Sequence, residues 1–175
     1  MTSITTKICV VGDFAVGKTS VVERFVNNHF SDKYLTTVGV KIDTKQVELG
    51  RQDVSVKLII WDVAGAEEYG AREFAYLRGA AGVVYVADGT RLQTLASARK
   101  LRQQIAERYG ARPDALLLNK HDLTSMWQIT NETIHSLRAE FDEIYRTSAK
   151  TGDEVEVALT ALAESIFAKD LHRAK

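Results

Sequence analysis

The sequence holds one cysteine, one proline and no net charge, and each scarcity removes a class of explanation. A lone Cys9 makes no disulfide within the chain, and its setting in Ile8-Cys9-Val10-Val11 reads as a buried strand residue, not a nucleophile or ligand. With Lys plus Arg at 23 and Asp plus Glu at 23, no overall field draws nucleic acid or an anionic membrane. The histidines His29, His121, His135 and His172 never recur at metal-site spacing, so no His or Cys metal site is expected. No apolar run reaches the ~20 residues that cross a bilayer, and the N-terminus lacks an apolar stretch of signal-peptide length. A cytoplasmic protein is the expectation.

What the chain does have is alternation. Apolar runs suited to buried strands, Lys7 to Val11, Leu58 to Asp62, Gly82 to Asp88, Ala115 to Asn119 and Ile144 to Ser148, are separated by stretches of helical period. Val155, Ala158, Leu159, Leu162, Ala163, Ile166 and Phe167 form one apolar stripe, and Leu95, Ala98, Leu101, Ile105 and Tyr109 another. Val40 to Leu49 and Val54 to Trp61 predict an antiparallel edge hairpin turned by Gly50-Arg51-Gln52-Asp53, with one wetter face on the second strand. Pro113 is expected to end a helix before the Ala115 strand. The pattern predicts a single α/β domain over residues 1–175, with a mostly parallel six-stranded sheet and helices on both faces. Ligands of such sheets sit at the carboxyl ends of the strands, where polar residues gather here.

Gly12-Asp13-Phe14-Ala15-Val16-Gly17-Lys18-Thr19 fits the spacing G-x-x-x-x-G-K-[ST] between a predicted strand and a predicted helix bearing Val21, Val22, Phe25 and Val26. The glycines let successive N–H groups point at phosphate oxygens, Lys18 neutralises phosphate charge, and Thr19 offers a hydroxyl to Mg²⁺. By composition this pattern arises in roughly one chain in a hundred of this length, so alone it indicates only a nucleoside triphosphate. Two further loops narrow the base. Asn119-Lys120-His121-Asp122 and Ser148-Ala149-Lys150 follow strands at the same sheet edge, and a carboxylate such as Asp122 can pair with the N1–H and 2-amino groups of guanine, a donor pair adenine lacks.

With Thr37-Val38-Gly39 and Trp61-Asp62-Val63-Ala64-Gly65, these make five motifs in the order of the Ras-like small GTPases, which the chain resembles from Lys7 to about Ala168. The resemblance implies a P-loop GTPase (G) domain that binds GTP or GDP with Mg²⁺. It implies phosphate contacts from Phe14, Ala15, Val16, Gly17, Lys18, Thr19 and Ser20, with Phe30 shielding the base and Tyr34 covering the phosphates. Thr37 would grip Mg²⁺ when the γ-phosphate is present, and Gly65 would give that phosphate a backbone N–H. Asn119 would brace the loops and Lys120 pack along the base. Asp122, Leu123, Ser148, Ala149 and Lys150 would complete the base site, with the Ala149 N–H on the guanine carbonyl. Thr19, Thr37 and Asp62 would serve the metal, Asp62 through water.

Thr37 to Ile42, Lys57 to Asp62 and Tyr76 to Ala80 resemble the Rab branch most, with Ile42, Trp61 and Tyr76 at its partner-facing positions. Trp61 and Tyr76 read equally well as core. Effector and regulatory proteins are expected at switch I, Tyr34 to Ile42, and switch II, Gly65 to Arg78. Ala66 stands where the family has its water-orienting glutamine, and Phe14 and Ala15 replace small loop residues. Lys18, Thr37 and Gly65 keep their catalytic positions, so two readings stand: a slow hydrolytic switch, or a GTP-binding module. Glu68 is a candidate substitute for the glutamine. The end Leu171-His172-Arg173-Ala174-Lys175 offers no cysteine for prenylation and Met1-Thr2-Ser3 no myristoylation site, so no self-encoded lipid anchor is expected.

Overall fold

A computed structural model of the chain describes residues 2–50 and 53–175. Among the described residues six strands and five α-helices run in the order β1 (Thr2–Gly12), α1 (Lys18–Asn27), β2 (Val40–Leu49), β3 (Val54–Val63), α2 (Ala71–Tyr76), β4 (Gly82–Asp88), α3 (Leu92–Tyr109), β5 (Asp114–Asn119), α4 (Asn131–Leu137), β6 (Ile144–Arg146) and α5 (Val155–Arg173). They build one sheet in the order β2-β3-β1-β4-β5-β6. Every pairing is parallel except β2 with β3. The expected six-stranded α/β sheet with one antiparallel edge hairpin is therefore what forms.

Burial follows from the layers. Each residue of β4 and β5 is buried, as strands covered on both faces must be, and this is why they read as continuous apolar runs. In β3, Val56, Leu58 and Ile60 are buried while Lys57 is exposed and Ile59 and Trp61 are half-buried, so one face is wetter as expected. One core, with Ile8, Val10, Val22, Phe25, Leu117 and Leu159, packs α1 and α5 onto the sheet; the other, with Val11, Tyr85, Leu77, Leu101, Leu118 and Leu137, packs α2, α3 and α4 onto the opposite face.

Three departures from the expected boundaries have a visible cause. β1 begins at Thr2, because Thr2 to Thr6 pair with the first half of β3 although their polar alternation hides the strand. β6 is shorter, because the Ser148 N–H turns out of the sheet to the Asp153 carbonyl. Gly110, at φ 83°, ends α3, and Pro113 lies in the following connection, where its carbonyl accepts from the Val83 N–H. Of the proposed hairpin turn, Arg51 and Gln52 lie outside the described residues. Among the described residues no helix is long and apolar enough to cross a membrane.

β1 lies between β3 and β4, and the loops leaving β1 and β4 diverge to opposite faces of the sheet, toward α1 and α3. Such a divergence opens a crevice at the carboxyl ends of the strands.

Candidate functional site

The loop between β1 and α1 curls through Ala15 at φ 56° and Gly17 at φ 98°. A side chain at Gly17 would place its Cβ 2.4 Å from Asn119 Nδ2, so glycine is required both by the backbone and by the neighbour. Four successive carbonyls of this loop are each held by a side-chain donor. Lys18 Nζ reaches Asp13 O at 2.7 Å, Arg91 Nη2 reaches Phe14 O at 2.8 Å, Lys120 Nζ reaches Ala15 O at 2.8 Å, and Asn119 Nδ2 reaches Val16 O at 3.0 Å. A trans peptide points its N–H opposite its C=O, so fixing the carbonyls outward turns the following N–H groups the other way. The Phe14 N–H is taken by Asp13 Oδ1 at 2.6 Å. Those of Ala15, Val16 and Gly17 have no protein acceptor among the described residues, and they adjoin the N-terminus of α1. Such a set of converging N–H groups is able to hold an anion.

Lys18 is buried beneath it, and burial lowers its ammonium pKa to about 8, with Arg91 adding to the fall and Asp62 and Asp13 opposing it. Gly65 abuts the same ammonium: a Cβ there would lie 2.8 Å from both Lys18 Nζ and Asp13 O.

Beside Lys18, Thr19 Oγ1 lies 2.6 Å from Thr37 Oγ1 and donates to Asp62 Oδ2 at 2.7 Å, and Thr37 Oγ1 donates to that oxygen at 3.3 Å. Asp62 is fully buried, burial raises its pKa, and its Oδ1 receives no hydrogen bond among the described residues. An octahedral cation with arms of about 2.1 Å holds neighbouring oxygens about 3.0 Å apart, so this all-oxygen set with an orphaned carboxylate oxygen fits Mg²⁺. Among the described residues no three His, Cys, Asp or Glu side chains gather as an alternative metal group.

At the other end of the crevice Asn119, buried at the tip of β5, bonds Val16 O with its amide and receives Thr147 Oγ1 at 3.1 Å and the Ala149 N–H at 3.2 Å on its oxygen. One side chain thus joins three loops. Ser148, also buried, donates to Asp122 Oδ1 at 2.7 Å and fixes that carboxylate, while Oδ2 receives no protein hydrogen bond among the described residues. Arg24 of α1 holds the third loop through Ala149 O at 2.8 Å and Lys150 O at 2.6 Å.

These groups line one cleft of about 340 Å³. Phe14, Ala15, Gly17, Lys18, Thr19, Ser20, Phe30, Tyr34, Thr37, Gly65, Asn119, Lys120, Asp122, Leu123, Ala149 and Lys150 all face it. Val16, Ser148 and Asp62 stand behind its wall, acting through the contacts just given. Ala66 does not line it; the residue packs half-buried against the α2–α3 core, next to a small gap shared with Gly12, Asp13, Tyr69 and Ser97. Glu68 is paired with Lys100 of α3 at 2.8 Å, with both side chains exposed. The Ala149 N–H expected on the base is shared with Asn119, so it can serve a ligand only as a forked donor. Ile42 pairs with Trp61 across the hairpin and the Trp61 and Tyr76 rings lie 6.2 Å apart, both half-buried, with the Lys7 ammonium 3.7 Å from the Trp61 ring.

The sequence reading missed Arg24, Asp88 and Arg91. Asp88 carried a usable signal, a carboxylate ending a fully apolar strand beside the loop. Arg24 and Arg91 carried none, because an arginine on a helix or just before one reads as a solvated side chain.

A model of the Ras family matches residues 7–168. The chain is 35% identical over 165 residues to the Ras-related protein Rab-25 of Homo sapiens, covering 93% of this chain and 76% of that one. It is 32% identical over 165 residues to Ras-related protein Rab-13 of Mesocricetus auratus, covering 93% and 80%. To Ras-related protein Rab-32C of Dictyostelium discoideum it is 35% identical over 169 residues, covering 94% and 75%.

Proposed function

The chain belongs to the Ras family of small GTPases with Rab proteins among its relatives, and on that premise we propose that it is a guanine-nucleotide switch that binds GTP or GDP with Mg²⁺ and hydrolyses GTP slowly. One observation carries the reading: a single cleft joins a cradle of N–H groups without an acceptor among the described residues, above a buried Lys18, to the Asp122 carboxylate that Ser148 holds in place. That pairing of ends suits a phosphate chain and a base with two adjacent donors.

In this mechanism the Ala15, Val16 and Gly17 N–H groups and Lys18 take the phosphate oxygens, and Asp122 Oδ2 accepts from the base. Thr19, Thr37 and Asp62 would hold Mg²⁺, which when bound supplies charge neutralisation on the β- and γ-phosphates. Thr37 and Gly65 lie on segments that answer to the γ-phosphate, so its loss releases them. Switch I, Tyr34 to Ile42, and switch II, Gly65 to Arg78, are the proposed surfaces for effector and regulatory proteins, and the cytoplasm the proposed setting. The whole chain, 1–175, acts as one G domain.

Slow chemistry follows from what surrounds the reacting end. Alanine at 66 offers water no hydrogen bond and faces the α2–α3 core, Glu68 is occupied by Lys100, and Phe14 is 57% exposed at the mouth, where it obstructs an arginine supplied by a partner. The same facts favour a second reading, a GTP-binding module with negligible hydrolysis. Identifying the nucleotide that co-purifies, then following single-turnover γ-phosphate release, tests both. An adenine nucleotide would end the guanine reading, and tight GTP binding with no phosphate released would leave the module.

A further inference from the structure

Three of the four donors that hold the phosphate-loop carbonyls belong to motifs of the nucleotide site. The fourth, Arg91, stands outside them, immediately before α3. Its guanidinium forks between two acceptors: Nη2 donates to Phe14 O at 2.8 Å and Nε to Asp88 Oδ2 at 3.0 Å. That Asp88 oxygen also receives Lys120 Nζ at 2.9 Å, and Lys120 holds the next carbonyl, Ala15 O. One carboxylate oxygen therefore bridges the two cations that fix two consecutive peptides of the loop. Asp88 is itself held, because its Oδ1 receives the Thr90 N–H at 2.9 Å and the Thr90 hydroxyl at 2.6 Å. Its side chain is 2% exposed against 35% for Arg91, so the carboxylate is shielded from solvent while the guanidinium keeps part of its surface in water.

We propose that Arg91 is a positioning residue that holds the phosphate loop in its anion-binding form, with Asp88 coupling that hold to Lys120 of the base-reading loop. The Phe14 carbonyl and the Ala15 N–H belong to the same peptide, so pinning one outward aims the other into the cleft. The pin is needed, because Ala15 occupies φ 56°, a conformation that a residue with a Cβ adopts only when its surroundings impose it. Without Arg91 the 14–15 peptide is free to rotate, relieving Ala15 and withdrawing one phosphate donor. Base recognition by Asp122 and Ser148 stays intact.

This role rests on the nucleotide-site reading, and the test separates the two. Competition titrations measure GDP and GMP affinity for the unmodified protein, Arg91→Ala and Arg91→Lys. The second phosphate extends the ligand from the base end along the loop, so the GDP/GMP affinity ratio reports the cradle. Arg91→Ala should lower that ratio about tenfold, the usual weight of one hydrogen bond to a charged group, and leave GMP affinity within about twofold. Arg91→Lys keeps the charge but offers its donors from a single nitrogen in place of the planar Nε and Nη2 fork that spans the two acceptors, so it should recover less than half of the loss on a logarithmic scale. An unchanged ratio, or GDP and GMP weakening together, overturns the assignment, since a purely structural arginine would give those results. If Arg91→Ala does not fold, Arg91→Lys decides by the same ratio. If the unmodified protein binds neither nucleotide, the nucleotide reading itself has failed, and the role of Arg91 falls with it.

Discussion

The phosphate loop and residues 30–39 border the same cleft, yet they are held in opposite ways. Carbonyls 13 to 16 of the loop are each fixed by a side-chain donor, from Lys18, Arg91, Lys120 and Asn119, and the loops proposed to read the base are locked through Asn119 and Arg24. Along residues 30–39 the hydrogen bonds among the described residues are few: Lys33 N to Ser31 Oγ, the Thr37 hydroxyl contacts, and the Gly39 carbonyl receiving Ala64 N. Tyr34 is 66% exposed and Val38 89%. A preorganised cradle binds without a reorganisation cost, whereas a segment held by one hydroxyl cluster changes its order with whatever occupies that cluster. The contrast suits a switch, in which one region recognises the nucleotide and the other reports its state.

The largest predicted effect breaks the rigid side. Asp122→Asn replaces a two-acceptor carboxylate with an amide that presents a donor to the guanine donors, and Ser148 can still bond its oxygen. GDP affinity should fall by ~10⁴-fold while xanthosine diphosphate gains, because a polar site that meets the wrong edge leaves buried groups unpaired. A competition titration with GDP, xanthosine diphosphate and ADP measures this. Equal ATP and GTP affinity in the unmodified protein would remove the guanine assignment altogether.

The same contrast explains what was legible in the sequence. Strands buried on both faces announce themselves as apolar runs, so β4 was readable to the residue, while the first half of β1 was not, since Thr2, Ser3 and Thr5 alternate as loop residues do. Motif residues such as Lys18 and Asn119 were readable because their chemistry fixes their spacing. Arg91 was not, because its partner is a main-chain carbonyl 77 residues away and any donor of the right reach could serve. Ala66 could be placed in register with its motif, but its orientation away from the cleft depends on how the chain from Gly65 to Tyr69 packs against α3.

An intermediate effect is expected at Ala66, beside the start of the phosphate loop. Ala66→Gln supplies an amide that can align water, and one such contact to a transition state is worth up to ~10²-fold in rate. The gain should fall short of that, because Ala66 packs toward the α2–α3 core and Phe14 stands at the mouth. Adding Phe14→Gly should raise single-turnover phosphate release beyond either change alone. If the unmodified protein releases phosphate faster than Ala66→Gln, another group positions the water, and Glu68→Ala is the next variant to measure.

The smallest effect sharpens the comparison most. Thr37 is the residue through which the loosely held segment touches the cradle, by its hydroxyl to Thr19 Oγ1 at 2.6 Å and to Asp62 Oδ2 at 3.3 Å. Thr37→Ala deletes those contacts and one oxygen of the set that fits Mg²⁺, but it leaves the phosphate-loop N–H groups, Lys18 and the base site untouched. A ligand that engages only the rigid region should not notice. GDP affinity is therefore expected to change by less than about twofold, while GTP, whose γ-phosphate is proposed to recruit the Thr37 segment, should weaken about tenfold, the worth of one charge-assisted contact. Chelating Mg²⁺ should erase that GTP-specific difference between Thr37→Ala and the unmodified protein, since the hydroxyl acts through the metal. Equal weakening of GDP and GTP would mean that residues 30–39 belong to the preorganised cradle, and the division between a recognising region and a reporting one would not hold.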